Sequence, residues 1–431
     1  METDWRGMNR TEAPMCGAGP TRAMVHAGAG AGADKTGNRR HGGQTMTASF
    51  VPHPATTLRR AVTEAADISQ AVAELHAGLS QDNASLVLLF VSPRLALDPL
   101  ASELARRFAG TPVVGCTTAG EITPRGYARG SITGVSFAAP DFHTVARRIP
   151  DVRQFSVADG RSLVRDCLRE LNRGTPGWPA SQVFAMLFID GLAACEESVV
   201  SAIHRELDVI PLVGGSAGDE LDFRATKILA DGAFHRHSAV LVLVATTLPF
   251  CRFKTDHFTS SHSKMVVTGA DPAQRIVTEI NAEPAALEYA RLIGRGVDDL
   301  TPEISATYPV VVRVGDTPYA RSIQKANADG SLTFYCAIDQ GIVLTVARDL
   351  DIVADLRRLF GDIRQEIGPP ELVVGYDCIL RGLEVRQKGL EQEVSRLMIA
   401  NNVVGFSTYG EQYDAMHFNQ TFTGIAIGRR A

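Results

Sequence analysis

The sequence predicts an α/β fold of mixed sheets with flanking helices, in two domains. Its building block is an internally repeated strand–helix–strand–loop–strand unit. Three observations carry this. Short apolar runs of strand length alternate with amphipathic stretches of helix length. One phrase recurs: "VVGCTTAGE" from Val113 returns as "LVGGSAGDE" from Leu212 and as "VVGFSTYGE" from Val403. And 431 residues exceed one ordinary hydrophobic core, so more than one domain is expected.

Residues 1–48 are rich in Gly, Ala and Arg and lack periodicity, which predicts a disordered leader. "HAGAGAGAD" there has the glycine density of a phosphate loop but follows no strand, so that reading is set aside. Met46 is a second candidate start. Residues 55–79 read as helical. "SLVLLFVSP" is a continuous apolar run, as expected of a strand buried on both faces. In "LALDPLASELARRFAG", Leu100, Leu104 and Phe108 share one helical face and Gly110 ends it. "TPVVGCTTAGE" then gives a strand and loop, and "GSITGVSFA" a third strand.

The order returns in "QVFAMLFIDG", "CEESVVSAIHREL", "IPLVGGSAGDE" and "SAVLVLVAT". It returns again in "ELVVGYDCIL", "LEVRQKGLEQEVSRLMIANN", "VVGFSTYGE" and "TFTGIAIG". A strand–helix–strand step predicts a parallel pair with a right-handed crossover, and the third strand is expected to add antiparallel. Between the second and third units, "DPAQRIVTEINAEPAALEYARLIG" predicts helices. The segment after it predicts strands, with Asp329-Gly330 as a hairpin turn. A domain boundary is placed near Asn281, dividing residues 80–281 from 282–428.

Composition narrows function. A net charge of −5 gives no sign of a nucleic-acid binder, which would carry a basic stripe. The seven cysteines are scattered, with no CxxC pair, which argues against disulfides, a zinc knuckle and covalent haem and favours a reducing cytoplasm. The longest apolar stretch, residues 239–251, is too short to span a bilayer. There is no GxSxG, Walker or HExxH motif. Cys116 is a candidate nucleophile, with a buried inert thiol as the other reading.

The repeated loop is the first candidate site. A glycine after a buried strand allows a sharp turn and close ligand approach. Glu121, Glu220 and Glu411 would then lie at strand ends, where α/β proteins commonly bind ligands, or would each tie down its own turn. The third copy adds Tyr409, Gln412, Tyr413, Met416, His417, Asn419 and Gln420, a mix of rings and amides suited to a planar small ligand. Among the histidines, His417 lies between Met416 and Phe418, an apolar setting that keeps imidazole neutral and able to ligate iron. His257 and His262 come next as metal candidates because Asp256 stands beside them.

Taken together, "VVGCTTAGEITPRGYARGSITGVSF", "LVGGSAGDEL", "GYDCILRGLE" and "VVGFSTYGEQYDAMHFNQTFTGIAIG" resemble the FIST family over residues 80–430. That resemblance implies tandem FIST N and FIST C sensory domains of bacterial signalling. It makes the chain a cytoplasmic small-ligand sensor rather than an enzyme. The last segment is similar to the NosP-like subgroup, which implies haem b, a nitric-oxide response and regulation of a separate histidine kinase or cyclic-di-GMP enzyme. The alternatives are a FIST sensor of amino acids or a related metabolite without haem, and an enzyme using Cys116 or a loop glutamate.

Overall fold

The computed structural model describes residues 57–174, 177–255, 258–314, 317–349 and 351–430. The three units are present and equivalent. Their first strands, Ala84–Val91, Val183–Ile189 and Leu372–Cys378, are apolar runs buried on both faces. Each is followed by helix: Leu97–Arg107, Glu196–Leu207, and the pair Ile379–Gln387 and Glu391–Ala400. Each returns as a parallel second strand, Val113–Thr117, Leu212–Ser216 or Val403–Thr408. The third strands, Ile132–Ala138, Ala239–Thr246 and Phe422–Ile427, pair antiparallel on the other side of the first.

Beyond its loop, each unit does something the sequence pattern does not predict. A short hairpin leaves the unit and joins the sheet of another. The hairpin Glu121–Thr123 with Gly126–Ala128, from the first unit, pairs with Val403–Thr408 of the third. The hairpin Glu411–Tyr413 with Met416–Phe418, from the third, pairs with Leu212–Ser216 of the second. The hairpin Ile228–Ala230 with Ala233–His235, from the second, pairs with Val113–Thr117 of the first. The exchange is cyclic and closes three sheets into a ring.

Strand alternation then sorts the side chains. Leu86, Leu88 and Phe90, Phe184, Met186 and Phe188, and Leu372, Val374 and Tyr376 all face one central core. There Phe90 stacks on Phe406 at 4.7 Å, and Phe188 meets Phe90 at 5.7 Å and Tyr376 at 5.8 Å. The intervening residues point outward under the helices, as Val87 and Leu89 do beneath Leu75 and Leu104.

The repeated glycine does not make the expected turn. Gly115, Gly214 and Gly405 lie inside the second strands, flat against the first. A Cβ at these positions would sit 1.7 Å from the Leu89 carbonyl oxygen, 2.0 Å from that of Leu187 and 1.8 Å from that of Gly375. The residue is glycine because two backbones approach too closely for any side chain.

A fourth, antiparallel sheet runs from Phe258–Asp271 to Val343–Asp349. It packs Met265, Val267, Val277 and Leu344 against Tyr289 of the helix Ala285–Ile293. The Asp329-Gly330 turn joins strands Ile323–Ala326 and Leu332–Phe334 as expected. Three other expectations are corrected. Leu58–Thr63, expected to be helical, is a strand on the open edge of Ile132–Ala138, where pairing overrides local pattern. Ile276–Ile280, also expected to be helical, is a strand of the fourth sheet. The helix beginning near Leu383 is two helices, because Gly389 adopts φ 68° between them. The helix Val157–Gly174 adds to the expected elements, with Val164, Cys167 and Leu171 forming its buried stripe.

Candidate functional site

The loop acids come first, because geometry separates them. Glu411 accepts from the Thr408 hydroxyl, from the Thr421 hydroxyl at 2.8 Å and from the Thr421 N–H at 3.2 Å. Glu121 repeats this with the Thr118 hydroxyl, the Ser131 hydroxyl at 2.7 Å and the Ser131 N–H at 3.1 Å. Each carboxyl ties its loop to the start of its third strand. Both are fully buried, and burial pushes Glu121 up to about 7 and Glu411 up to about 8.

The second unit solves the same problem otherwise. Ile228 holds the glutamate's place in the ladder, opposite Cys116, and Asp190 accepts from the His237 N–H and the Thr226 hydroxyl. Glu220 instead stands at φ 59° and pairs with exposed Arg94. The three acids therefore do not form equivalent ligand contacts. Two are internal ties, and one is a surface ion pair of small energetic weight.

The third unit's hairpin is where polar groups gather. The Tyr409 ring lies tilted at 5.1 Å from Phe223 and 6.0 Å from Tyr335. Its hydroxyl donates to Asp219 and accepts from the Leu221 N–H at 2.9 Å. Asp219 also accepts the N–H groups of Phe223, Arg224 and Ala225, so it latches the second unit's loop to the third. Tyr413 points the other way, toward the central core, with Arg252 over its ring at 5.2 Å. Gln412 alternates to the opposite face, and its amide nitrogen lies 3.2 Å from His417 Nδ1.

Around His417 the hydrogen-bond inventory does not close. Gln412 Oε1, His417 Nε2, Asn419 Oδ1 and Gln420 Oε1 are buried without a partner. So are Arg321 Nε and Nη1, the Ser322 hydroxyl and the Tyr335 hydroxyl, contributed by the fourth sheet and the segment after it. Asn419 donates to the Tyr409 carbonyl at 3.1 Å, and Gln420 to the Ala306 carbonyl at 3.2 Å, which fixes both amides. Arg275 is paired: it donates to Glu196 at 2.7 Å, to Glu197 at 2.6 Å and to the Tyr335 carbonyl. Arg321 is not. Burial holds His417 down to about 4, with Glu197 opposing and Arg275 and Arg321 assisting, so the ring is neutral.

Residues 85–283 match the FIST N domain and residues 285–414 the FIST C domain. The chain belongs to the FIST family. FIST domains are small-ligand sensor domains of signal transduction rather than catalytic ones. A comparison with curated proteins returned no match.

Within this FIST protein the metal candidates separate as follows. His257 lies outside the described residues. His262 falls in the strand Phe258–Asp271, with its side chain outside the described set. Among the described residues, no group of three or more His, Cys, Asp or Glu is disposed to hold a metal ion. At His417, a Cβ on Gly410 would lie 2.2 Å from Cε1 and 2.5 Å from Nε2. The ring edge that would meet iron is thus against backbone. A haem does not fit at His417 in this arrangement. Cys116 lies in the central core, and burial pushes its thiol well up, so no thiolate is offered to a substrate. Among the described residues no helix is long and apolar enough to cross a membrane.

The sequence gives no sign of Arg321, Ser322, Tyr335 and Arg275 as members of this corner, since none stands in a copy of the repeated phrase. Asp219 does stand in the second copy, "LVGGSAGDE", but is overshadowed there by its neighbour Glu220.

Proposed function

We propose that this FIST protein senses a small polar metabolite, such as an amino acid or a related compound, at the corner built around His417. Its occupancy is reported to a separate partner, a histidine kinase or a cyclic-di-GMP enzyme. One observation supports this reading above the others: the set of fixed, buried and unpartnered polar atoms. An unmade buried hydrogen bond costs roughly 1–3 kcal/mol, so such a cluster favours a bound partner that completes it. Three amide oxygens ask for N–H or O–H donors, and the Arg321 guanidinium asks for a carboxylate or another acceptor. The corner joins the exchanged hairpin, the start of helix Glu196–Leu207 and the fourth sheet. A ligand bridging them would bias how those elements sit, which is what a partner can read.

The test is thermal denaturation against a panel of amino acids and related polar metabolites. A ligand at about a hundred times its Kd should add about 2.7 kcal/mol, a rise of several degrees. Arg321→Gln should remove that rise while leaving the unliganded midpoint little changed. No response from any panel member would contradict the proposal. So would a Soret band after haem addition that is lost in His417→Ala, which would instead favour the haem-bound nitric-oxide sensor.

A further inference from the structure

The corner where the first unit's hairpin enters the third unit's sheet is built on the same plan but lined differently. Tyr127 faces Ile122 in that hairpin as His417 faces Gln412, so Tyr127 takes the place of His417 and Arg129 that of Asn419. A cavity of about 190 Å³ opens there, lined among others by Gly120, Arg129, Gly382, Arg386, Glu391 and Ser407.

Its charges are unbalanced. The Tyr127 hydroxyl is committed to Asp377, and Asp377 is paired at 2.7 Å with fully buried Arg381, so these two charges offset each other behind Tyr127. Arg129 and Arg386 face the opening, and among the described residues neither forms an ion pair or a side-chain hydrogen bond. Burial and the nearby Arg129 both hold the Arg386 guanidinium below its ordinary value, with Glu391 opposing from beyond ion-pair distance. Arg129 is exposed and Arg386 half-buried, and with Glu391 as the one carboxylate in the lining the two guanidinium groups leave a net positive charge that an anion would balance.

A second observation is independent of charge. Gly382 lies inside the helix Ile379–Gln387, where glycine costs about 1 kcal/mol relative to alanine. Nothing steric demands it: a Cβ there would meet only Arg386 Nη1 and the Ser407 hydroxyl, both at 3.9 Å. What a methyl group would occupy is the wall of the cavity.

We infer that this cavity is a second ligand site, for a small anion whose carboxylate or phosphate group is held between Arg129 and Arg386 with the Ser407 hydroxyl donating to it. The site is separate from the His417 corner and does not depend on what binds there.

Isothermal titration of the full chain with inorganic phosphate and, in a second arm, with succinate tests it, each against chloride at equal ionic strength. At least one probe should bind, and the arm that responds identifies the anion. Arg386→Gln should weaken that binding by about tenfold or more, the loss expected of a charge-assisted hydrogen bond. Gly382→Ala should weaken it too, while its unliganded melting point stays level or rises. Arg321→Gln should leave it intact, which separates this site from the proposed metabolite corner. Binding no stronger than that of chloride, or binding unchanged in both Arg386→Gln and Gly382→Ala, would overturn the inference.

Discussion

Gly405→Ala is expected to yield no folded protein, and Gly115→Ala to do the same. The added methyl carbon would lie 1.8 Å or 1.7 Å from a carbonyl oxygen of the adjacent strand. Neither atom is at the end of a flexible side chain, so relief requires parting the two central strands of a sheet. That would break the parallel ladder Val373–Cys378 with Val403–Thr408 and lift Phe406 from its stack on Phe90. Overpacking in a tight core costs typically 1–3 kcal/mol when side chains can yield, and a backbone clash offers no such escape. The cost therefore approaches the 5–15 kcal/mol by which domains are stable at all. Circular dichroism and soluble yield check it. A cooperative melt within a few degrees of the parent protein would show that the strands are not held this closely. Gly382→Ala, outside the sheets, is the matching control and should melt normally.

The second large effect is on pH. Glu121 and Glu411 ionise near 4.5 when unfolded, but burial raises them to about 7 and about 8 in the folded chain. Below pH 4.5 both states hold the proton and neither group affects stability. As pH rises, the unfolded chain releases protons that the folded chain keeps, so unfolding gains until the folded value is passed. Relative to acid pH these groups therefore disfavour the fold at pH 8, by about 3 kcal/mol for Glu121 and about 4 kcal/mol for Glu411, and most of that loss falls between pH 5 and pH 8. The double variant Glu121→Gln, Glu411→Gln keeps an acceptor for each strand N–H and cannot ionise. Its melting point relative to the parent should rise between pH 5 and pH 8. Parallel curves for the two proteins would mean that both carboxylates are ionised throughout, held by their hydroxyl donors.

The repeated unit is legible in the sequence because each first strand is apolar on both faces and each second strand ends in the same phrase. The cyclic hairpin exchange is not. The hairpins are only three residues per strand, and Glu121–Thr123 contains nothing that distinguishes its own sheet from the third unit's. The repeated glycine is conspicuous, but a turn and a backbone contact leave the same mark in one sequence, and the fold chooses the contact.

At the candidate site, Gln412, His417, Asn419 and Gln420 are readable because one short segment carries them. Tyr413 belongs to that segment too, but strand alternation turns it into the core. Glu220 looks equivalent to Glu121 and Glu411 in the chain, yet its loop leaves the ladder before it can act as they do. Arg321, Ser322 and Tyr335 are invisible, because only the tertiary fold carries the fourth sheet to this corner.

The central claim is that the unpartnered atoms around His417 await a ligand rather than water. A crystal structure of the protein as purified, at a resolution that separates waters, tests this directly. The claim predicts continuous density beyond water size, contacting Arg321 Nη1 and the amide oxygens of Asn419 and Gln420. Discrete waters completing the hydrogen bonds of every one of these atoms would contradict it.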